Sequence, residues 1–220
     1  LDVYKRHHQL LDDLLSDGWI THLATYGAGV IHDWEWAHHG RSTESVRANV
    51  ATGTFGAWEE TGRCLHLAVL TGALREEGFG QSVGRMVTEN GFTLPARSEL
   101  ETKLREEPSH ALAPARADLL QIMTQHNLAE GRHEIAHPWG ATSVLGNAFR
   151  HDVPLTVHPG IGYDIISNHP LFNGAALGRA AGLDFATFGG SVEGLDNALL
   201  LYVRRDCLGP AGVVYTRTCR

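Results

Sequence analysis

Two stretches of this chain concentrate residues able to do chemistry. The first, 27–35, reads GAGVIHDWE and brings Gly27, Gly29, His32, Asp33 and Glu35 together, with His38 and His39 just beyond. On a helix His32 and Glu35 share a face, as do Glu35 and His39. That spacing suits an acid/base pair or a set of metal ligands. The two glycines let backbone amides approach an anion, and a helix departing from them adds partial positive charge. Phosphate and dinucleotide sites use this physics. The fit to G-x-G-x-x-G is partial, because His32 stands at the third glycine and no acidic residue follows about 20 positions on. A plain tight turn explains the glycines equally well, and Asp33 and Glu35 equally suit a positive helix start.

The second stretch, 158–174, reads HPGIGYDIISNHPLFNG. His158 closes an apolar run, Gly160 and Gly162 permit tight turns, Asp164 and His169 follow, and Asn173 with Gly174 opens a helix. Polar groups and glycines crowded at the carboxyl end of a strand are what a ligand crevice needs. His158, Asp164 and His169 could position a hydroxyl or a ribose. Together with His32 and Asp33 they could instead bind a divalent metal for hydrolysis. The bland alternative has Asp164 capping and His169 exposed ahead of Pro170.

Other motifs carry less. Glu59 and Glu60 fit a solvated first helical turn better than a place in the same cleft, and Cys64 has no base beside it to make a nucleophile. The run 133–137, HEIAH, spells H-E-x-x-H, but Gly131 and Pro138 bracket it and leave no helix to carry a zinc site.

The elements that must position these residues follow from periodicity. A strand is expected at 19–25 (WITHLAT), a second at 153–158 (VPLTVH) and a third at 198–203 (ALLLYV). Amphipathic helices are expected at 7–18, from about 31, at 42–50 with Ser42 as N-cap, at 57–77, 80–89, 111–126, 142–149 and 172–188. Ser98 and Glu101 form a capping box that opens a charged helix. Residues 97–127 thus read as a helical insertion, a lid or an oligomer contact, within a single α/β domain spanning 1–220. Strands separated by helices predict a Rossmann-like, doubly wound parallel sheet.

Composition bounds the function. The 220 residues include 25 glycines and 14 histidines but only two lysines, Lys5 and Lys103. A formal charge of −7 argues against a phosphate-backbone binder, so nucleic acid is not an expected partner. Cys64, Cys207 and Cys219 show no metal spacing and fit a reducing, cytoplasmic setting. No apolar run reaches membrane-spanning length.

At 21–37 (THLATYGAGVIHDWEWA), 55–62 (FGAWEETG) and 158–185 (HPGIGYDIISNHPLFNGAALGRAAGLDF) the chain resembles a largely uncharacterised bacterial and archaeal family with a deoxyhypusine-synthase-like, NAD-binding fold. To deoxyhypusine synthase itself the likeness is remote. That enzyme forms an imine on a late lysine, and here no lysine follows Lys103. Against the family, the beginning at Leu1 and the ending RDCLGPAGVVYTRTCR look divergent or truncated. The resemblance implies a Rossmann-like fold and a nucleotide crevice. The expectation is an NAD-dependent enzyme, a transferase or oxidoreductase, and a homo-oligomer acting on a small molecule. Gly27, Gly29, Gly160, Gly162, Asn173 and Gly174 would line the cofactor, and His32, Asp33, Glu35, His158, Asp164 and His169 would do the chemistry. A metal-dependent hydrolase and a non-catalytic binding or assembly protein are the alternatives.

Overall fold

A computed structural model describes residues 2–41, 45–53, 59–195, 198–203 and 212–217. Cys207 and Cys219, and Ser42 as an N-cap, lie outside them. Helix α1 (Asp2–Ser16) leads through Gly18, whose φ of +72° reverses the chain, into strand β1 (Ile20–Thr25). Helix α2 (Gly27–His39) follows at once, then α3 (Val46–Thr52), α4 (Glu59–Gly72) and α5 (Phe79–Glu89). Strand β2 (Gly91–Leu94) pairs antiparallel with β3 (Gly131–Glu134), and helices α6 (Arg97–Glu106) and α7 (Ala113–Gln125) hang between them. The chain returns through α8 (Val144–Arg150), β4 (Leu155–Val157), α9 (Gly174–Glu193), β5 (Ala198–Val203) and β6 (Gly212–Arg217).

The molecule is α/β, with a main sheet of order β4-β1-β6-β5. Strands β1 and β4 are parallel, with Leu23 opposite Leu155 and Thr25 opposite Val157. Strands β6 and β5 extend the sheet antiparallel from β1. Among the described strands the parallel layer is therefore one pair, where a doubly wound fold would have several.

The core gathers around α4. From Thr61 to Gly72 nearly every residue is buried, and Leu65 and Leu67 have no exposed surface. A helix apolar on all sides belongs inside a protein. Helix α7 adds Leu119 and Met123 to the same cluster and α6 adds Leu100, so both helices of the 97–127 excursion are anchored in the core. Strand β4 lies at the sheet edge, and its outer side is closed by Asp184 of α9, which accepts from the amides of Val157 (2.8 Å) and Gly80 (3.1 Å). Covering an edge this way keeps its backbone groups from pairing with another chain. No helix among the described residues is long and apolar enough to cross a membrane.

Candidate functional site

The carboxyl ends of β1 and β4 lie side by side, and the two chemistry-bearing loops leave from them. The His158 amide donates to the Thr25 carbonyl at 2.8 Å, joining the strand ends. Helix α2 begins immediately at Gly27, with Tyr26 as an N-cap that makes no side-chain cap bond. The sequence reading starts this helix near Ile31; the structure starts it at Gly27, because both glycines are packed. A side chain at Gly29 would stand 2.2 Å from Thr25 Oγ1, and one at Gly27 would meet the Asp164 carboxylate at 2.8 Å. The glycines thus bring α2 down onto β1 and make room for Asp164.

Asp164, 7% exposed, accepts from the Gly160 amide at 2.7 Å, and its own amide donates back to the Gly160 carbonyl at 3.0 Å. Gly162 sits at φ +98°, a conformation open mainly to glycine, so the turn 160–164 closes around the carboxylate. Gly27, Gly160 and Asp164 are therefore one cluster built from both loops.

A second cluster lies about two turns along α2. Glu35, 2% exposed, accepts from Thr61 Oγ1 at 3.5 Å, and the half-exposed His32 places Nδ1 3.7 Å from its other oxygen. Next to Thr61, Gly62 touches the ring of His169, which a side chain there would meet at 2.4 Å. His169 Nδ1 accepts from the Leu171 amide at 3.1 Å, so its Nε2 carries the proton and donates to Glu59 at 3.2 Å. Its ring stacks at 5.8 Å on His66, whose Nε2 donates to the Ile166 carbonyl at 2.8 Å. Burial holds His66 neutral, pushing it down to about 4. Glu59, read from sequence as a solvated first turn, reaches this loop, while His169 is buried rather than exposed.

The other predicted residues stand apart. Asp33 faces α8, accepting from Ser143 Oγ (2.6 Å) and from the amides of Val144 (2.8 Å) and Leu145 (3.1 Å). Both of its oxygens serve a helix cap. Asn173 caps α9 through Ala176 at 2.8 Å and donates to Asp118 at 3.3 Å, and Gly174 is the first residue of that helix. His38 and His39 pack with Trp34 and His137, and His38 Nδ1 donates to the Ala136 carbonyl at 2.7 Å. The H-E-x-x-H run straddles the end of β3, with His133 donating to the Ala129 carbonyl, so no helix carries it. Among the described residues no group of three His, Cys, Asp or Glu side chains is arranged to hold a metal ion. Burial pushes the Cys64 thiol up to about 12, which keeps it protonated and inert.

Sequence reasoning passed over His22, Thr156, Ser191 and Asp184. His22 and Thr156 interrupt apolar strands at positions with no exposed surface to speak of, 0% and 1%, and that interruption was the available signal. A polar residue inside a buried strand must find a partner. Here His22 and Thr156 find each other at 2.9 Å.

A cavity of about 210 Å³ lies beside the segment entering β4, lined among others by Glu76, Asp152, Leu155, Asp184 and Thr187. It is smaller than the roughly 300–1,000 Å³ typical of small-molecule pockets. None of the residues predicted from sequence lines it, and its buried carboxylate, Asp184, is already taken by backbone amides.

No protein family, curated protein or solved structure matches the chain.

Proposed function

We propose that the crevice at the ends of β1 and β4 binds a nucleotide of the NAD type, and that the chain is a nucleotide-dependent transferase or oxidoreductase. One observation carries this reading: two Gly-rich loops far apart in sequence meet over adjacent parallel strands, with Gly27 packed on Asp164. Crevices at the carboxyl ends of parallel strands are where open α/β sheets place ligands. In this reading the β4–β1 pair and α2 are the nucleotide-holding part of a Rossmann-like arrangement. The phosphates approach the first amides of α2, which lie at the positive end of its dipole. Asp164, an acceptor with a single described hydrogen bond, takes a ribose hydroxyl, since its charge would repel a phosphate. His158 and the His32–Glu35 pair are the groups left for proton transfer, whereas Asp33 serves the fold.

Isothermal titration with NAD, NADH and ADP-ribose tests the proposal. Saturable binding that weakens in Asp164→Asn and in Gly27→Val supports it. Absence of heat with all three ligands at millimolar concentration, from folded protein, overturns it and leaves a non-catalytic binding role as the simpler account.

A further inference from the structure

His158 is the predicted site residue whose ring is wired into the sheet. Its Nε2 lies 3.0 Å from Thr156 Oγ1, and the same hydroxyl lies 2.9 Å from His22 Nε2. On the far side of that ring His22 Nδ1 lies 2.8 Å from Ser191 Oγ. Ser191 Oγ also lies 3.1 Å from the Thr187 carbonyl one turn back along α9, and Thr156 Oγ1 lies 3.4 Å from the Leu23 carbonyl. Residues from β1, β4, the following loop and α9 form one polar thread, buried at His22 and Thr156 and half-buried at its His158 and Ser191 ends. Phe188 sets its edge against both imidazoles, at 5.7 and 5.1 Å.

The thread has few protons, and their number together with the contact distances sets its direction. Burial lowers both histidines, His22 to about 4, so each ring is neutral and carries one N–H. Each hydroxyl likewise has one proton to give and can accept. If His158 Nε2–H donates to Thr156, Thr156 to His22 Nε2, His22 Nδ1–H to Ser191, and Ser191 to Thr187, four bonds of 2.8–3.1 Å form. Run backwards, from Ser191 to His158, the thread loses the bond to Thr187 and makes only three. Other four-bond arrangements turn Thr156 toward Leu23, but each uses the longest contact of the set, 3.4 Å. They, too, keep the His158 proton on Nε2.

We infer that Thr156 is the positioning residue that holds His158 as the Nε2–H tautomer, with Nδ1 as a proton acceptor for the crevice, while Ser191 fixes the ring of His22 behind it. Nδ1 has no hydrogen-bond partner among the described residues. When it takes a proton, the positive charge is shared with a ring whose other N–H already donates into the sheet, so the imidazole gains a proton without changing its orientation. His22 is held in the opposite tautomer, protonated on Nδ1. The use of the acceptor in a reaction rests on the proposed function; the tautomers stand whether or not a nucleotide binds.

Ring 15N NMR of histidine-labelled protein, at a pH above the titration of His158, reads both tautomers directly. His158 is assigned by its loss in His158→Gln, and His22 by its proximity to Phe188. The expected result is His158 protonated on Nε2 and His22 on Nδ1. Ser191→Ala, at a half-buried site the fold tolerates, removes the acceptor of His22 and shifts that proton to Nε2 while His158 is unchanged. Thr156→Ser retains the wild-type pattern. His158 protonated on Nδ1, His22 protonated on Nε2 in the wild type, or a Ser191→Ala variant with His22 unchanged overturns the inference. A failed nucleotide titration alters none of these signals, so the two proposals fall separately.

Discussion

Asp184 and Asp164 are both buried aspartates beside β4, at 4% and 7% exposure, yet their surroundings differ in kind. Asp184 gathers the amides of Gly80 and Val157 and fastens α9 and α5 to the sheet edge. Asp164 receives one amide, from its own loop, and lies against a glycine. A carboxylate that ties together amides from two separate elements is committed to the fold. One with spare acceptor capacity at a loop mouth is available to a ligand. The same line divides the histidines, since His22 has partners on both ring nitrogens and His158 on one.

The broadest way to probe the committed interior is pH. Burial lowers His22, His66 and His137 to about 4, from an ordinary value of 6.5. The unfolded chain then binds more protons than the folded one between these values. Stability is therefore full above pH 6.5 and falls as the pH drops toward 4, by at most roughly 3 kcal/mol per histidine. Asp184 opposes this. Burial outweighs its amide bonds and pushes it from 3.8 up to about 6, so the folded chain holds that proton more tightly and gains stability over the same descent. Urea midpoints followed from pH 7 to pH 4 should show a net loss. A flat profile would refute the neutral, buried placement of the three rings.

Replacing Asp184 by Ala at neutral pH should cost about 3 kcal/mol, because it strands buried amides at the edge of β4. A cost under about 1 kcal/mol would erase the contrast with Asp164. In Asp184→Asn the acid-side gain also disappears, so stability should fall more steeply on acidification than in the wild type.

Asp33→Ala comes next, at about 1–2 kcal/mol, the usual scale of a lost helix cap. It should leave nucleotide binding untouched. If binding fails in a variant that remains folded, Asp33 belongs with the site after all.

How far these assignments were legible beforehand differs between the loops and what surrounds them. Strands β1 and β4 could be read because β-branched and apolar residues run together there, and the meeting of the two Gly-rich loops follows from strand neighbours sharing an end. What sequence could not supply was tertiary capping. Ser98 and Glu101 match a capping box, yet α6 starts at Arg97 with Ala96 as its N-cap, and Glu130 takes the Arg97 amide at 2.9 Å from 33 residues away. Asp33, beside two candidate catalytic residues, serves α8 more than 100 residues on. Strand β6, between β1 and β5, escaped because its run is short and adjoins no helix pattern, and its antiparallel insertion is what departs from the expected parallel sheet. A local pattern cannot show which distant helix end lacks a partner.

The smallest expected effect on stability is the most informative about function. Asp164→Asn preserves shape and retains a carbonyl oxygen for the Gly160 amide, so the urea midpoint should move by less than the equivalent of about 1 kcal/mol. Ligand binding should respond differently. An amide accepts a ribose hydroxyl less strongly than a carboxylate does, since charge roughly doubles the strength of such a bond. About 1.4 kcal/mol of lost contact is a tenfold rise in Kd, and that is the expected change for NAD and ADP-ribose by titration. A variant that loses stability as Asp184→Ala does would place Asp164 among the committed carboxylates. One that keeps both stability and affinity would move the ribose away from the Gly27–Asp164 contact, and the working end of the crevice would then have to be sought along the His32–Glu35 pair.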